Sequence, residues 1–491
     1  MIDSLHIKNG NRFTENGWLR VNVKGTPYEI GFAHGYLLSS ELREIMTMLS
    51  FLTPNSYGIT LEILSNVIYD IHSPIVKDNF PDIYQELKGI CDGAVKSGFK
   101  ELTIQQLFYW NCSVSIADML SLANETISKS SELKKKYGHI FHKNVSVEGG
   151  GSKDRCTAFI AVGDWTRDGK IVCAHNTFGD FIETQYYNVL MYICPTKGNA
   201  FIMQTAAGQV SSGTDYYISS NGFIVTETTI GGFNKYVMKY PAFCRIRKAV
   251  QFSKSLDDYV DILKDGNSGD YANSWLIGDT KSNVIMRIEM GLDYTNVEKK
   301  KNGYFIGFNA PYDDKIRNLE CVNSGFYDIR RHQGARRVRL EQLMKQHKGN
   351  IDIGIGQAIL ADHYDVYLNK VNPCSRTCCS HYEVDAREFM SQSDRPLPFQ
   401  PMGAIDGIVS DSATATTMGL SARWGSSCGT PFVASDFFTR NAQWVDQKPY
   451  VKDRPLEKWT MFNCKRIKRF RKSVRRRYAK KITRKKNYSI K

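Results

Sequence analysis

The chain has 491 residues, of which 42 % are hydrophobic and 23 % charged, and this is an ordinary globular composition. The length allows two to four domains or one large elaborated unit, with a core that needs no disulfide staples. Of the 65 Lys and Arg behind the net charge of +15, 15 lie in residues 465–491, which contain no Asp or Glu; the remaining chain is neutral and does not imply a global nucleic-acid-binding surface.

The N-terminal sequence MIDSLHIKNGNRF lacks the apolar segment of a signal peptide. The longest uncharged stretch worth testing, residues 102–117, is too short and too polar to span a membrane. We therefore expect a soluble chain without a secretion signal. The twelve scattered cysteines and the sequons at Asn111, Asn124 and Asn144 leave the compartment open.

Apolar periodicity predicts a mostly helical region over residues 1–150, with helices in 26–49, 81–95 and 101–110. Short β-rich runs separated by Gly, Asn and Asp follow in 156–311, as in an antiparallel sheet system. Helices are predicted in 241–263 and 335–346. The order favours an α+β fold over βαβ winding. It divides the chain into a helical part with its linker (1–155), a β-rich part (156–464) and a basic tail (465–491).

The most informative point is the junction DRCTAF at residues 154–159, where a polar, Gly-rich loop leads into a strand that begins with Cys156. The sequence continues through a turn at Arg167, Asp168 and Gly169 into a second strand that contains His175. Such a hairpin can return His175 beside Cys156. Cysteine with histidine is a workable nucleophile and base, or nucleophile and orienting group, although a lone cysteine is more often a small half-buried residue.

Several short motifs occur here in a characteristic order: GFAHG (31–35), ELKGI (86–90), CTAF (156–159), AHNT (174–177), SGTDYYI (212–218), ETTIG (227–231), YANSW (271–275) and FNAP (308–311). Together they resemble the phospholipase B-like family, which is related to the penicillin acyltransferase type of N-terminal nucleophile hydrolases. The absent signal peptide and the basic tail depart from that family, whose members are usually lysosomal or secreted, so the compartment does not carry over.

The resemblance implies a four-layer αββα fold and self-cleavage between Arg155 and Cys156, with the two resulting chains staying associated. A new N-terminal cysteine carries its thiol and an α-amine on one residue. The amine has an unperturbed pKa of about 7.7–8.0, so it can take the thiol proton near neutral pH. The acyl group would move to sulfur as a thioester, and water or another acceptor would remove it.

The resemblance also suggests roles for four further residues. Asn273 would donate its side-chain amide to the oxyanion, His175 would orient the cysteine, and Thr228 would line the site. Arg336 would assist from a later helix, in competition with Arg337 and Arg330. No cofactor and no catalytic metal is implied. His34, which the family pattern includes, is interpreted as a packed helix residue.

A second cluster is NPCSRTCCSH at residues 372–381, preceded by Asp362 and His363. Three cysteines and a histidine close together invite a zinc interpretation, but the spacing is not C-x-x-C and no second cysteine pair follows at finger distance. We therefore expect reduced structural cysteines in preference to a disulfide, and a disulfide in preference to zinc.

The sequence thus predicts a hydrolase that cleaves an acyl ester or amide, with phospholipid as one substrate class. One alternative is acyl transfer to an amine. Another is a catalytically silent binding or packaging protein that acts through its basic tail. In that tail, large apolar residues between Ile467 and Ile482 form one helical stripe among the charges, as expected for contact with anionic lipid or nucleic acid, although a solvated tail without a partner stays open.

Overall fold

The computed structural model describes residues 4–140, 156–386, 397–454 and 456–463. The predicted cleavage loop up to Arg155 and the basic tail, residues 465–491, lie outside the described residues. The helices are α1 Pro27–Leu37, α2 Ser39–Tyr57, α3 Leu61–Asn79, α4 Pro81–Lys96, α5 Ile104–Asn111, α6 Ile116–Lys129, α7 Ser131–Tyr137, α8 Phe181–Thr184, α9 Ala242–Phe252, α10 Leu256–Lys264, α11 His332–Gln346, α12 Ile353–Leu360, α13 Ser412–Ala415 and α14 Ala434–Arg440.

The strands are β1 Ser4–Ile7, β2 Gly10–Glu15, β3 Trp18–Gly25, β4 Cys156–Val162, β5 Val172–Asp180, β6 Val189–Pro195, β7 Phe201–Thr205, β8 Tyr217–Ser219, β9 Phe223–Thr229, β10 Asn273–Asp279, β11 Val284–Met290, β12 Thr295–Lys300, β13 Gly303–Gly307, β14 Tyr364–Asp365, β15 Lys370–Val371, β16 Met402–Ala404, β17 Asp406–Asp411, β18 Leu420–Trp424 and β19 Thr460–Phe462.

Two large sheets pack face to face. The ten-stranded sheet has the order β1-β2-β3-β6-β7-β8-β9-β10-β11-β12. The seven-stranded sheet has the order β13-β4-β5-β17-β18-β19, with β16 paired to β5. They approach so closely that a Cβ added at Gly278 of the first sheet would lie 3.0 Å from Ile160 of the second.

Helices cover the outer faces of both sheets. On the seven-stranded sheet, α11 and α12 share a core of Phe159, Val172, Leu340 and Ile359 with the strands. On the ten-stranded sheet, α1 packs on β3 and α9 packs on β8. The layers therefore run helix, sheet, sheet, helix, and the predicted α+β fold with αββα layering is confirmed.

The short β-rich runs predicted between residues 156 and 311 form β4 to β11 and β13. Strand β12 was not predicted, because its charged sequence TNVEKK suits an edge strand with little burial. The region predicted as one helix over 241–263 is two helices, α9 and α10, and the predicted 335–346 helix is α11.

The expectation that residues 1–150 are mostly helical is wrong for the N-terminus, where residues 4–25 form three strands. Strand β3, WLRVNVKG, alternates apolar and polar residues, which is the period of a strand, and it pairs in parallel with β6. This N-terminal segment therefore extends the sheet that the β-rich part builds.

Helices α1 and α4 cross with their backbones almost in contact. A Cβ at Gly35 would lie 1.9 Å from the Ile90 carbonyl oxygen, and one at Gly31 would lie 2.0 Å from that of Glu86. On α4, Gly89 and Gly93 approach α1 in the same way. Only glycine fits at these positions, so the GFAHG and ELKGI motifs encode a helix crossing.

Among the described residues, no helix is both long and apolar enough to cross a bilayer.

Candidate active site

Cys156 is the first residue of β4 and is 3 % exposed. Its side chain lies on the same face of the strand as Ala158 and Ile160, and Ile160 contacts the ten-stranded sheet, so this face looks into the space between the sheets. On β5, His175 pairs with Ala158 and Thr177 pairs with Cys156. His175 therefore lies diagonally across from Cys156 on the same face, as the hairpin predicted.

Arg336 holds the backbone of Cys156 from the helix layer. This fully buried side chain on α11 donates from Nη1 to the carbonyl oxygen of Cys156 and, at 3.2 Å, to Thr157 Oγ1. Its Nη2 donates to Asn309 Oδ1 at 2.7 Å and to His332 Nδ1 at 2.6 Å. The guanidinium thus ties together the start of β4, the loop after β13 and the first turn of α11.

The two competing arginines are placed differently. Arg337, the next residue, donates to the Phe326 carbonyl and to Glu341. The Arg330 side chain is 71 % exposed and pairs with Asp328. Of the three candidates, Arg336 is the one in contact with Cys156.

Asn309 is a site residue to which the sequence assigned no role. Its Oδ1 accepts the backbone N–H of Cys156 at 3.2 Å, and its Nδ2 donates to the carbonyl of Thr229 at 2.8 Å. Its φ of 66° lies in the left-handed region, which asparagine tolerates better than most residues. The FNAP motif was the available signal, but nothing in its spacing connects it to Cys156.

Thr228 and Asn273 lie on neighbouring strands of the ten-stranded sheet. Thr228 faces the space between the sheets, because its side chain fills the position that a Cβ on Gly307 would need. Asn273 begins β10 opposite Thr229, the residue whose carbonyl Asn309 holds. Both side chains are fully buried, and neither the Thr228 hydroxyl nor the Asn273 amide makes a hydrogen bond among the described residues. Because Asn273 pairs with Thr229, the strand neighbour of Thr228, its side chain lies on the opposite face of the ten-stranded sheet, and of these two residues Thr228 is the one that faces the same space as Cys156.

The surroundings of Cys156 disfavour a thiolate in the uncut chain. Burial raises the pKa of the thiol well above its usual value, and the nearby carboxyls of Glu227, Asp215 and Asp406 raise it further. The Arg336 guanidinium acts in the opposite direction. A thiolate here therefore depends on positive charge close to sulfur.

Two of these carboxyls form a buried pair bridged by a tyrosine. The Tyr271 hydroxyl lies 2.6 Å from Asp215 Oδ2 and 3.0 Å from Glu227 Oε1. Burial raises the pKa of Asp215 to about 6 and that of Glu227 well above its usual value. Like charges this close favour sharing a proton, so the pair is a weak acid near Cys156.

Burial lowers the pKa of His175 to about 3, against a smaller opposing effect of the Glu227 backbone. The imidazole is therefore neutral at physiological pH. A neutral ring beside the thiol suits the orienting role better than that of a cationic partner. His34, by contrast, lies on α1 and accepts the backbone N–H of Gly208 at 2.8 Å, which is a packing contact.

The cysteine-rich segment lies in the loops beyond β5. Cys379 and His381 come together there with His363 and Cys428, and one ligand atom of each lies within 4.8 Å of the others. Within the described part of the chain, this is the group that could hold a metal ion.

The phospholipase B family model matches residues 78–452, which is more than half of the sequence. The chain belongs to the phospholipase B family. Phospholipase B-like 2 of Rattus norvegicus is 26 % identical over 315 residues, covering 55 % of this chain and 53 % of its own. Phospholipase B of Crotalus adamanteus is 27 % identical over 251 residues, covering 45 % and 42 %. This phospholipase B family chain spans about half the length of the curated relatives it matches.

Among solved structures, a mutant conjugated bile acid hydrolase from Clostridium perfringens is 10 % identical, with a TM-score of 0.31. The match covers 55 % of this phospholipase B family chain and 89 % of the hydrolase.

Proposed function

We propose that this chain is a self-processing cysteine hydrolase of the N-terminal nucleophile type, in which Cys156 cleaves an acyl ester or amide bond through a thioester. One observation carries the proposal. Both backbone groups of Cys156 are held at the start of a central strand, the N–H by Asn309 and the carbonyl by Arg336. A residue that is to become a chain terminus and remain in register needs this kind of fixation.

In the maturation step, the Cys156 sulfur attacks the carbonyl carbon of Arg155. A C–S bond forms, the C–N bond between the two residues breaks, and the thiol proton passes to the departing nitrogen. Water then hydrolyses the thioester, releasing the Arg155 carboxylate and restoring the thiol. Asn309 Oδ1, which accepts from the amide in the uncut chain, remains in place to accept from the new α-amine.

In turnover, the α-amine takes the thiol proton while sulfur attacks the acyl carbon of the substrate. The tetrahedral intermediate needs hydrogen-bond donors aimed at its oxyanion. The family resemblance assigns this role to the Asn273 amide, which is buried without a hydrogen-bond partner among the described residues. Its register places it on the face away from the space between the sheets, so this role requires the first residue of β10 to turn toward Cys156. His175 orients the thiol and Thr228 lines the space beside it. The amine returns its proton to the leaving group, and water releases the acyl group as a carboxylic acid.

The names of the relatives favour phospholipid esters as the substrate class. The fold does not choose between an ester and an amide, since both pass through the same thioester. Transfer of the acyl group to an amine needs only that an amine replaces water in the second step. Contact of the basic tail with anionic lipid, which would hold the enzyme at such a substrate, belongs to the same proposal.

The test is the intact mass of the purified protein under denaturing conditions. We expect two chains, the larger beginning Cys-Thr-Ala-Phe, whereas C156A stays full length and is inactive. C173A is the matched control, because Cys173 is also buried and lies on the neighbouring strand β5, yet it has no role in the mechanism. The C173A variant should be cut normally. A wild-type protein that stays intact and inactive at neutral pH, or a C156A variant that retains hydrolysis, would overturn the proposal.

A further inference from the structure

Four potential metal ligands converge where two loops meet beyond the end of β5. His363, Cys379 and His381 come from one loop, and Cys428 comes from the turn after β18. All four ligand atoms lie within 4.8 Å of one another, and Cys379 and His381 are buried. We propose that His363, Cys379, His381 and Cys428 form a structural zinc site.

The spacing of the ligand atoms fits tetrahedral coordination. Zn–S bonds of about 2.3 Å and Zn–N bonds of about 2.0–2.1 Å place neighbouring sulfur and nitrogen ligands of a tetrahedron about 3.5 Å apart. Both Cys379 Sγ and Cys428 Sγ lie 3.4 Å from His381 Nε2. The rings of His363 and His381 are 5.1 Å apart at their centroids, and the buried His363 Nε2 makes no hydrogen bond of ordinary geometry among the described residues.

The surroundings resemble the outer shell of a metal site. The nitrogen of His381 that faces away from the sulfurs, Nδ1, contacts Glu383 Oε1 at 2.7 Å. Such a carboxylate fixes the tautomer that leaves Nε2 free to bind a metal, and it raises the basicity of the ligand. The backbone N–H of Thr430 donates to Cys428 Sγ at 3.4 Å, which stabilises negative charge on that sulfur.

The other two cysteines of the segment do not join the group. Cys374 donates from its thiol to Asp365. The backbone carbonyl of Cys378 accepts a hydrogen bond from Asn176, the neighbour of His175 on β5. Zinc was disfavoured from the sequence because the segment has no C-x-x-C spacing and no second cysteine pair at finger distance. The proposed site takes two ligands from residues 372–381, a third from before this segment and the fourth from the turn after β18.

With four protein ligands the site has no open coordination position, so its role is structural. It ties the loop of residues 362–383 to the turn of residues 426–430. The Asn176 side chain donates to the carbonyl oxygens of Leu360 and Cys378 and to Ser427 Oγ, and thereby joins β5 to both of these segments. Zinc would hold together the loops that pack against the His175 strand.

The test is elemental analysis of full-length protein purified under reducing conditions without a polyhistidine tag. We expect about one zinc per chain, and a thermal unfolding midpoint that falls when a strong chelator removes it. C428S and H363A should each lose most of the metal. C374S is the matched control, since it removes a thiol from the same segment but not from the proposed site, and it should retain zinc.

Cobalt substitution of the wild-type protein tests the site even if those variants fail to fold. Tetrahedral Co²⁺ with two thiolates gives intense visible bands, and these should appear at one equivalent. A metal-free protein with a Cys379–Cys428 disulfide in peptide mapping would overturn the proposal. So would a folded C428S variant with undiminished zinc. None of these readouts depends on self-cleavage or hydrolysis, so this proposal and the proposed function fail separately.

Discussion

At the level of single residues, burial raises the pKa of the Cys156 thiol most, and the charged side chains nearby add to or oppose that effect. One cation, Arg336, lowers the thiol pKa, and three carboxyls raise it. Because a neighbouring charge shifts a pKa in a direction set by its sign, neutral substitutions at these positions should move the thiol pKa in opposite directions.

R336Q removes the cation, so the Cys156 pKa should rise and the pH midpoint of alkylation should move up by about one pH unit. D215N removes a carboxyl group that is ionised above about pH 6 and should move the midpoint down. The measurement is the rate of iodoacetamide labelling at Cys156 of the purified protein against pH, followed by peptide mass spectrometry. R337Q is the control, because the half-buried Arg337 side chain donates to Glu341 and to the Phe326 carbonyl. Equal midpoints for R336Q and R337Q would contradict this electrostatic account.

The buried pair of Asp215 and Glu227 makes stability depend on pH. Burial raises the pKa of Asp215 in the folded protein to about 6 from a usual 3.8. The folded state therefore binds the proton more tightly than the unfolded chain does. The stabilisation that this group contributes is complete below pH 4, and it is lost as pH rises through about 6.

D215N should remove this pH dependence. The free energy of unfolding of D215N, relative to that of the wild type, should therefore be higher at pH 7 than at pH 4 by on the order of 2 kcal/mol. Asparagine keeps the shape of the side chain and tolerates the φ of 56° found at this position. The measurement is chemical denaturation of both proteins at several pH values from 4 to 7. An unchanged difference between the two proteins across that range would show that Asp215 titrates as in the unfolded chain.

Among the secondary-structure elements, the crossing of α1 and α4 depends on the absence of side chains. A methyl group at Gly35 would overlap the Ile90 carbonyl, so the G35A variant must separate the two helices. Separation opens gaps in the core between α1, α4 and β3. This cost outweighs the gain in helix propensity that alanine normally brings.

We expect G35A to lower the free energy of unfolding by about 1–3 kcal/mol or more. G354A is the matched control, because Gly354 is also helical but a Cβ added there would meet Asp352 Oδ1 at an ordinary 3.4 Å. That variant should be neutral or stabilised by about 0.5–1 kcal/mol. Denaturant unfolding measures both, and equal effects of the two substitutions would refute the close-packing explanation.

Across the whole molecule, the segments on either side of the predicted cleavage site are joined by strand pairing, a buried ion pair and hydrogen bonds. Strand β3 pairs with β6, and Glu86 on α4 forms a buried, two-pronged ion pair with Arg247 on α9. The Trp110 indole donates to the carbonyl oxygen of Ala207, and the Asn111 amide donates to that of Gly208.

The Asn111 side chain is thus buried and hydrogen-bonded within the fold, so the sequon at Asn111 is not accessible to modification in the folded chain.

These contacts predict that the two chains produced by the proposed cleavage co-elute as one particle in size-exclusion chromatography and separate only in denaturant. E86A leaves the buried Arg247 without its carboxylate partner, which typically costs about 3–5 kcal/mol. Its processed chains should dissociate at lower denaturant concentration than those of the wild type. E101A is the control, because the Glu101 ion pair with Arg43 is exposed. Spontaneous separation of the wild-type chains in native buffer would contradict the prediction.

The β-rich centre, the α+β class, the Cys156 hairpin and the family could all be predicted from the amino-acid sequence. These depend on local information: the alternation of apolar residues along strands, a turn such as 167–169, and short motifs whose order survives without the fold. The three N-terminal strands were missed because β1 and β2 carry little apolar signal, and because β3 is stabilised by β6, which lies beyond the predicted cleavage site.

The distinction between Arg336 and Arg337 required the tertiary structure, since adjacent residues of a helix point about 100° apart and the buried face depends on what packs there. The same is true of the contact between Asn309 and the Cys156 backbone, and of the meeting of His363 and Cys428 with Cys379 and His381. In each case the partners lie far apart in sequence and meet because two layers or loops pack together. The spacing of residues along the chain does not predict these contacts, because the contacts arise from the packing of sheets and loops and not from the period of any one helix or strand.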